Sequence, residues 1–257
     1  MNIPEQFIKP FPGYEEVFYE DIEGHKKHFL PICSINLQCI FPDQDEWLHI
    51  VSAKEIHEGC VGADTTEYHT HYSKEDMIGF NVIDGKYKFE AEWKYFAIEQ
   101  KDDTEDSYEV DSLEDAYQQN EKDYQSRKQF YFNHGMIYPY SSFGEAFTSA
   151  ETLKQDYEDK KAAGWGLGFP EVNGIIDDIA FMSDEAREYI ETYNESLDEL
   201  LKFESTNLIN IPKKLNGDVF TYIGSLTGYY FQAFGADCVY LFYDQDLKKA
   251  VICFEYS

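Results

Sequence analysis

The sequence predicts an α+β fold with two similar antiparallel sheets and about three helices between and around them. Segments that alternate apolar and polar residues, typical of half-buried strands, lie at both ends of the chain. Helical signals gather between them. The strand-rich ends also resemble each other at one fixed offset, 191 residues between Ile32 and Ile223. This offset is consistent with an internal duplication.

Strands are predicted throughout the first hundred residues. Residues 29–40, FLPICSINLQCI, and residues 46–53, EWLHIVSA, both alternate. In residues 76–93, Asp84-Gly85 lies between two alternating runs, which is the strongest short signal for a β-hairpin. Residues 1–28 are polar and aromatic with several prolines, and they are expected to form an irregular arm.

Helices are predicted in the middle of the chain. One runs from about residue 113 to 128, and a second from about residue 149 to 163. A third begins at Ser183, with acidic residues in its first turn. Between the first two helices, FYFNHGMIYPY at 130–140 is predicted to be a strand ending in a turn. Three strands, VFTYIGSL, CVYLFY and AVICFEYS, close the chain.

These elements predict three regions in one compact unit. Residues 1–98 form an N-terminal sheet lobe, residues 99–210 an acidic loop and helical connection, and residues 211–257 the strands that complete a second lobe. The repeat matches Ile32 with Ile223, Ser34 with Ser225, Ile35 with Leu226, Ile40 with Phe231, Leu48 with Val239, and Ile50 with Leu241. The first copy carries a long insertion where the second has only DQDLKK, and such a loop is either functional or decorative.

Several of these strands resemble those of a known family. FLPICSINL, EWLHIV and IGFNVIDGKYKF, with FTYIGSL and GADCVYLFYDQDLKKAVICFEYS near the C-terminus, are similar to the YwqG-like family of bacterial proteins. Leu30 and Pro31, followed by Ile35 and Asn36, match the family's first strand. The resemblance covers about a third of the chain and rests on core patterns. It implies a two-lobed α+β fold and, because members occur beside bacterial toxin genes, an immunity role.

The charge of the chain is its most unusual property. Fifty acidic residues against 21 basic ones give a net charge of −29. Such a surface repels nucleic acids and anionic lipids and attracts basic proteins, although simple solubility or adaptation to high salt would also explain it. The five cysteines contain no Cys-x-x-Cys pair. With no signal-peptide pattern and no long apolar stretch, a reducing cytoplasm is the expected compartment.

The acidic residues concentrate in one run. Residues 99–123 contain eleven acidic and two basic residues, with tyrosines among them. Carboxylates steer a basic partner and tyrosines supply buried contact area, although a solvated acidic loop would have the same composition. The predicted partner-binding residues are Asp102, Asp103, Glu105, Asp106, Tyr108, Glu109, Asp111, Glu114, Asp115 and Tyr117.

The insertion EIHEGCVGADTTEYHTHYSKED suggests a second kind of site. His57 and Cys60, with His69 and His71, supply four nitrogen and sulfur donors of the kind that zinc binds in tetrahedral geometry. On a strand, residues 69 and 71 would point the same way. A polar insertion without metal is the alternative, because the spacing matches no standard zinc finger.

Other catalytic signatures are missing from the sequence. There is no Gly-x-Ser-x-Gly motif, and Ser225 lies within a predicted strand. A cysteine–histidine pair, such as Cys39 with His49 or His134, has no local signature to support it. We therefore expect a non-enzymatic cytoplasmic protein that neutralises a basic protein partner, most simply a bacterial toxin. A zinc-dependent hydrolase using the 57–71 loop is the alternative.

Overall fold

Two antiparallel sheets dominate the computed structural model, which describes residues 3–56, 61–100, 108–137, 146–164, 175–176, 178–179 and 207–256. The first sheet has the order β1-β2-β3, with β1 (Ile8–Pro10), β2 (Phe29–Asn36) and β3 (Trp47–Ala53). The second has the order β5-β4-β9-β8-β7-β6, with β4 (Met77–Ile83), β5 (Lys86–Phe89), β6 (Asp178–Ile179), β7 (Thr221–Leu226), β8 (Cys238–Asp244) and β9 (Lys249–Glu255). The α+β prediction is confirmed.

Four α-helices lie within the described residues: α1 (Tyr14–Val17), α2 (Ile22–His28), α3 (Tyr108–His134) and α4 (Ala150–Ala162). The predicted helix at 149–163 corresponds to α4, whose N-cap is Ser149. Its hydroxyl accepts a hydrogen bond of 3.2 Å from the Thr152 amide. The predicted helix at 113–128 lies inside the longer α3. The helix predicted to begin at Ser183 falls outside the described residues.

The strands confirm the repeat at its predicted offset. Strands β2 and β3 are joined by a 3₁₀ turn at Leu37–Cys39, and β7 and β8 by one at Gly228–Tyr230, 191 residues later. Ser34 pairs with His49 in the first copy, and Ser225 pairs with Tyr240 in the second. Both strand pairs also shift register at the same place, between Pro31/Cys33 and between Tyr222/Gly224. We call these two units copy one and copy two.

Copy one lies in the first sheet and copy two in the second, but the hairpin that follows copy one belongs to the second sheet. The β4–β5 hairpin follows copy one in sequence, but β4 pairs with β9 of the second sheet, with Ile78 opposite Ile252. Asp84 and Gly85 both have positive φ, 50° and 73°, as a two-residue hairpin of type I′ requires. The predicted hairpin is confirmed, and its pairing makes the second sheet larger than the first.

Two local predictions are wrong. Residues 1–28 are not an irregular arm, because the part that the structure describes contains β1, α1 and α2, held by buried aromatic side chains such as Phe11 and Phe18. Residues 130–134 are not a strand but the last turns of α3. Phe130 packs with Phe147 and Leu153 of the α4 region, and this packing outweighs the strand preference of an aromatic run.

Candidate functional site

Helix α3 carries the described part of the predicted partner-binding surface. Glu114 and Asp115 are exposed on it. Tyr108, Glu109 and Asp111 belong to its first turns, where the structure describes the backbone alone. Asp102, Asp103, Glu105 and Asp106 lie outside the described residues.

A buried asparagine fixes the opposite face of α3 to copy one. Asn120 is fully buried, and its amide nitrogen donates to the carbonyl oxygens of Lys54 (3.0 Å) and Ile56 (2.9 Å) just beyond β3. Its side-chain oxygen accepts from the Phe234 amide at 2.7 Å. These bonds satisfy three main-chain groups that are otherwise expensive to bury. The helix is therefore held in one rotation about its axis, with Glu114 and Asp115 turned outward.

A buried ion pair anchors the middle of α3. Arg127 Nε donates to Asp123 Oδ2 at 2.6 Å across one helical turn, and both side chains are almost completely buried. Asp123 also accepts from the Phe147 amide at 3.0 Å, and Arg127 donates to the Tyr230 carbonyl at 3.1 Å. These bonds tie α3 to the start of the α4 region and to copy two.

The structure corrects the role of Tyr117. This residue was predicted to contact a partner, but only 8% of it is exposed. Its hydroxyl lies 3.0 Å from His28 Nδ1 and 3.3 Å from Glu55 Oε2. His28 Nε2 lies 2.8 Å from Glu99 Oε1, which also pairs with Lys27. Tyr117 therefore joins α3 to α2 from inside the protein.

The pKa values indicate where the protons lie among the linked side chains of Glu99, His28, Tyr117 and Glu55. Burial lowers the pKa of His28 to about 4, so its ring is neutral at neutral pH. Glu99 remains a carboxylate, because its neighbour Lys27 helps to lower its pKa below the ordinary value, although burial opposes the shift. His28 Nε2 therefore donates to Glu99, and Nδ1 accepts from the Tyr117 hydroxyl. Burial raises the pKa of Glu55 to about 7, and the Tyr117 hydroxyl is shared between His28 Nδ1 and Glu55 Oε2.

An open groove lies beside the contact between Tyr117 and His28. It has a volume of about 620 Å³ and is lined by α2, α3 and the residues that precede α4. Lys27, Lys54 and Lys122 contribute to its walls. Lys54 forms an ion pair with Glu121 and donates to the Lys26 carbonyl at 2.7 Å. The groove can bind polar groups, but its walls hold no nucleophile paired with a base.

The predicted metal ligands fall partly outside the described residues. His57 and Cys60 are among those not described. His69 Nε2 donates to the Gly62 carbonyl and His71 Nε2 to the Lys213 carbonyl, both at 2.8 Å. In the described part of the chain, no three His, Cys, Asp or Glu side chains are grouped as metal ligands. The zinc site and the hydrolase based on it stay predictions that metal analysis of the purified protein would test.

One hydroxyl–imidazole pair was not anticipated from the sequence. Ser34 Oγ lies 2.7 Å from His49 Nδ1, while His49 Nε2 donates to the Gly85 carbonyl at 2.8 Å. The register of β2 and β3, in which Ser34 lies opposite His49, brings these two residues together. Both side chains are buried, and burial lowers the pKa of His49 to about 4. The pair is closed to substrate and acts as part of the core.

Three of the four described cysteines, Cys33, Cys39 and Cys253, are poor nucleophiles. Burial raises the pKa of Cys39 to about 11 and those of Cys33 and Cys253 further above the ordinary range. Since the thiolate is the reactive form, these three thiols are unreactive at neutral pH. His49 is already bound to Ser34 and Gly85, which argues against the pairing of Cys39 with His49.

Sequence reasoning missed the groups that position α3, namely His28, Glu55, Asn120 and Arg127. The position of Asn120 in the middle of a predicted helix was the available signal. Asparagine is unfavourable in a helix interior unless its side-chain amide forms hydrogen bonds. His28 and Glu55 depend on residues distant in sequence, which no local pattern reveals, whereas the spacing of four between Asp123 and Arg127 was a local signal.

Comparisons with known proteins add no relationship: no family model, curated protein or solved structure matches this chain. Among the helices described, none is long and apolar enough to cross a membrane.

Proposed function

We propose that this chain is a cytoplasmic binding protein that neutralises a basic protein partner, as an immunity protein neutralises a toxin. The observation that carries the proposal is the concentration of acidic residues at 99–123 in a chain of net charge −29. The anchoring of α3 supports it, because carboxylates on a rigid helix lose little entropy on binding. The resemblance to YwqG-like proteins points to the same role.

Occlusion by acidic mimicry is the proposed mechanism. A protein that acts on nucleic acids presents lysine and arginine side chains where phosphates bind. Carboxylates on the acidic run would occupy those positions and cover the partner's active surface. Complementary charge also accelerates association, since opposite fields steer the two proteins together at low salt.

The acidic run can be tested by charge removal. Replacing Asp102, Asp103, Glu105 and Asp106 with Asn or Gln should slow association with the basic partner by about tenfold at low salt and flatten its salt dependence. The partner is first captured from native lysate on the tagged protein, eluted by a salt step and identified by mass spectrometry. Stopped-flow association then compares wild type and variant.

The matched control removes four carboxylates elsewhere. Asp43, Asp64, Glu67 and Glu158 are exposed, and their Asn or Gln variant has the same net charge as the test variant. If both variants slow association equally, the whole-molecule charge steers the partner and the 99–123 run does not. If no basic protein is captured, the proposed function is wrong.

A further inference from the structure

The groove between α2, α3 and the residues that precede α4 is basic, although the chain as a whole is strongly acidic. Over the whole chain, 50 acidic residues face 21 basic ones. The described residues that line the groove reverse this ratio, because they include one acidic residue, Glu121, and three lysines, Lys27, Lys54 and Lys122. The groove volume of about 620 Å³ lies within the range of about 300–1,000 Å³ that is typical of small-molecule sites. A groove of this size and charge attracts a small anion.

Lys54 supplies a buried charged donor to this groove. Only 9% of its side chain is exposed. An ammonium group has three N–H donors, and among the described residues two of them have acceptors, Glu121 Oε2 and the Lys26 carbonyl oxygen. Since Lys54 also lines the groove, the third donor is available to a bound acceptor. The side chain is already held in place, so little of its entropy is lost when a ligand binds.

The other two lysines of the groove differ in their pairing. Lys27, in the last turn of α2, pairs with Glu99, which is not among the lining residues. Lys122, on α3, is exposed and has no ion pair within the part of the chain that the structure describes. When Glu121 and Glu99 are both counted, the three lysines still leave one positive charge in excess. Lys122 is therefore free to pair with the anionic group of a ligand.

The first turn of α4 adds to the positive potential of the lysines. Thr148 and Ser149 line the groove and directly precede this 13-residue helix. The main-chain amides of Ala150 and Glu151, at its first two positions, have no acceptor within the helix. The helix dipole therefore favours an anion near them. The Glu151 carboxylate carries an opposing charge, but it is not among the lining residues.

Much of the α3 wall of the groove consists of neutral hydrogen-bonding side chains. Gln118, Gln125 and Gln129 line the groove. Together with Lys122 they are spaced four, three and four residues apart, so they lie on one face of α3. Gln118 and Gln129 are exposed, whereas Gln125 Nε2 donates to Glu121 Oε1 at 2.8 Å. Side-chain amides both donate and accept hydrogen bonds, so this face suits a ligand that carries hydroxyl groups.

The lining of the groove argues against a nucleobase. Tyr117 is the only aromatic residue among the described residues that line it, and only 8% of Tyr117 is exposed. Proteins that bind bases commonly stack them on an aromatic ring. This groove offers no open ring face, so its hydrogen-bonding groups fit a sugar better than a base.

We propose that the groove binds a small phosphorylated sugar. Lys122, Lys54 and the first turn of α4 hold the phosphate, and the glutamines of α3 bind the hydroxyl groups. Lysine binds phosphate as a compact charge, and no arginine is among the described lining residues for paired contacts with a carboxylate. This proposal does not depend on the basic protein partner, because the groove contains none of the carboxylates assigned to that partner.

Calorimetric titration of the full chain with defined probes tests the proposal. Ribose 5-phosphate, glucose 6-phosphate and glycerol 3-phosphate are compared with ribose, glucose and glycerol at low salt. At least one phosphorylated probe should bind with a Kd below about 1 mM, and its unphosphorylated form should bind at least about tenfold more weakly. The double variant Gln118→Ala/Gln129→Ala should weaken binding of that probe several-fold and leave the binding of inorganic phosphate unchanged.

A matched pair of lysine variants locates the phosphate. Lys122→Gln should weaken binding of the phosphorylated probe by about tenfold, the loss expected for one charge-assisted contact. Because Lys122 is exposed, this variant should keep the wild-type melting temperature. The control Lys154→Gln removes an exposed lysine of α4 that does not line the groove, and its Kd should equal that of the wild type. Equal weakening in both variants would show that the total charge, and not the groove, holds the probe.

Three further probes distinguish other ligands, and each has a result that overturns the proposal. Inorganic phosphate that binds as tightly as the sugar phosphates would mean that the glutamines contribute nothing. Citrate that binds more tightly than every phosphorylated probe would assign the lysines to carboxylates. AMP that binds at least about tenfold more tightly than ribose 5-phosphate would assign the groove to a nucleotide. Absence of binding by every phosphorylated sugar up to about 10 mM would contradict the proposal outright.

Discussion

At the scale of single residues, buried histidines make the stability of the fold depend on pH. His25, His28 and His49 are each at most 3% exposed, and burial lowers the pKa of all three. The folded protein therefore holds these rings neutral, whereas the unfolded chain protonates them below pH 6.5 or so. The buried Glu55 acts in the opposite direction, because its pKa is raised to about 7. The net pH dependence of stability is the sum of these effects.

His49 isolates one of these contributions. Its pKa of about 4 in the folded protein lies below the ordinary value of 6.5, so the stability it contributes is present above pH 6.5 and lost as pH falls to 4. His49→Asn should reduce the slope of the unfolding free energy over that window by about 1 kcal/mol per pH unit. Urea unfolding at pH 7.5, 6 and 5 measures it.

The control is His134→Asn, at an exposed position in the last turn of α3. This variant should retain the wild-type slope. An unchanged slope in His49→Asn would show that this ring is as easily protonated in the folded protein as in the unfolded chain.

At the scale of elements, α3 depends on its buried polar contacts. Only part of this helix could be predicted, because its last turns, FYFNH, have the aromatic composition of a strand. Residues 113–128 were predicted to be helical, and they are, but the predicted SLED start was wrong, because α3 already begins at Tyr108. The local pattern could not show that Tyr117 points inward, since a tyrosine among acidic residues has the same sequence whether its hydroxyl meets a partner or a buried histidine.

Asn120 is the strongest single anchor of this element. Asn120→Ala leaves the Lys54 and Ile56 carbonyls and the Phe234 amide without their side-chain partner. The expected loss is about 2–4 kcal/mol of unfolding free energy, because buried polar groups without hydrogen bonds are costly. Chemical denaturation monitored by tryptophan fluorescence measures it.

Gln118→Ala provides the comparison on the same helix, because Gln118 is exposed and its loss should change stability by less than about 0.5 kcal/mol. If the two variants lose the same stability, Asn120 does not hold the helix.

At the scale of the whole molecule, the net charge is −29, although some individual carboxylates are paired with a nearby cation. Several buried and half-buried acids have cationic neighbours: Glu90 pairs with Lys249 at 2.5 Å, and Asp123 pairs with Arg127. The remaining excess lies on the surface, where like charges repel and favour expansion of the chain. Salt screens that repulsion over about 10 Å at 0.1 M.

Stability should therefore rise with ionic strength. Between about 0.02 and 0.5 M NaCl we expect the melting temperature to increase by several degrees, because screening removes part of the repulsion. The variant with Asn or Gln at 102, 103, 105 and 106 has a net charge of −29 + 4 = −25 and should show a smaller increase. Repeating the series with choline chloride separates screening from specific sodium binding. A melting temperature independent of both salts would contradict the argument.

The sequence by itself determined strands β2–β5 and β7–β9, the Asp84-Gly85 hairpin, the repeat and the acidic run. Each depends on residues that are neighbours in sequence or on two segments that can be aligned directly. Only the tertiary structure decided that β4 joins β9 and that Tyr117 and His28 meet inside the protein. Those outcomes depend on contacts between distant segments, where burial and hydrogen-bond satisfaction outweigh local preference.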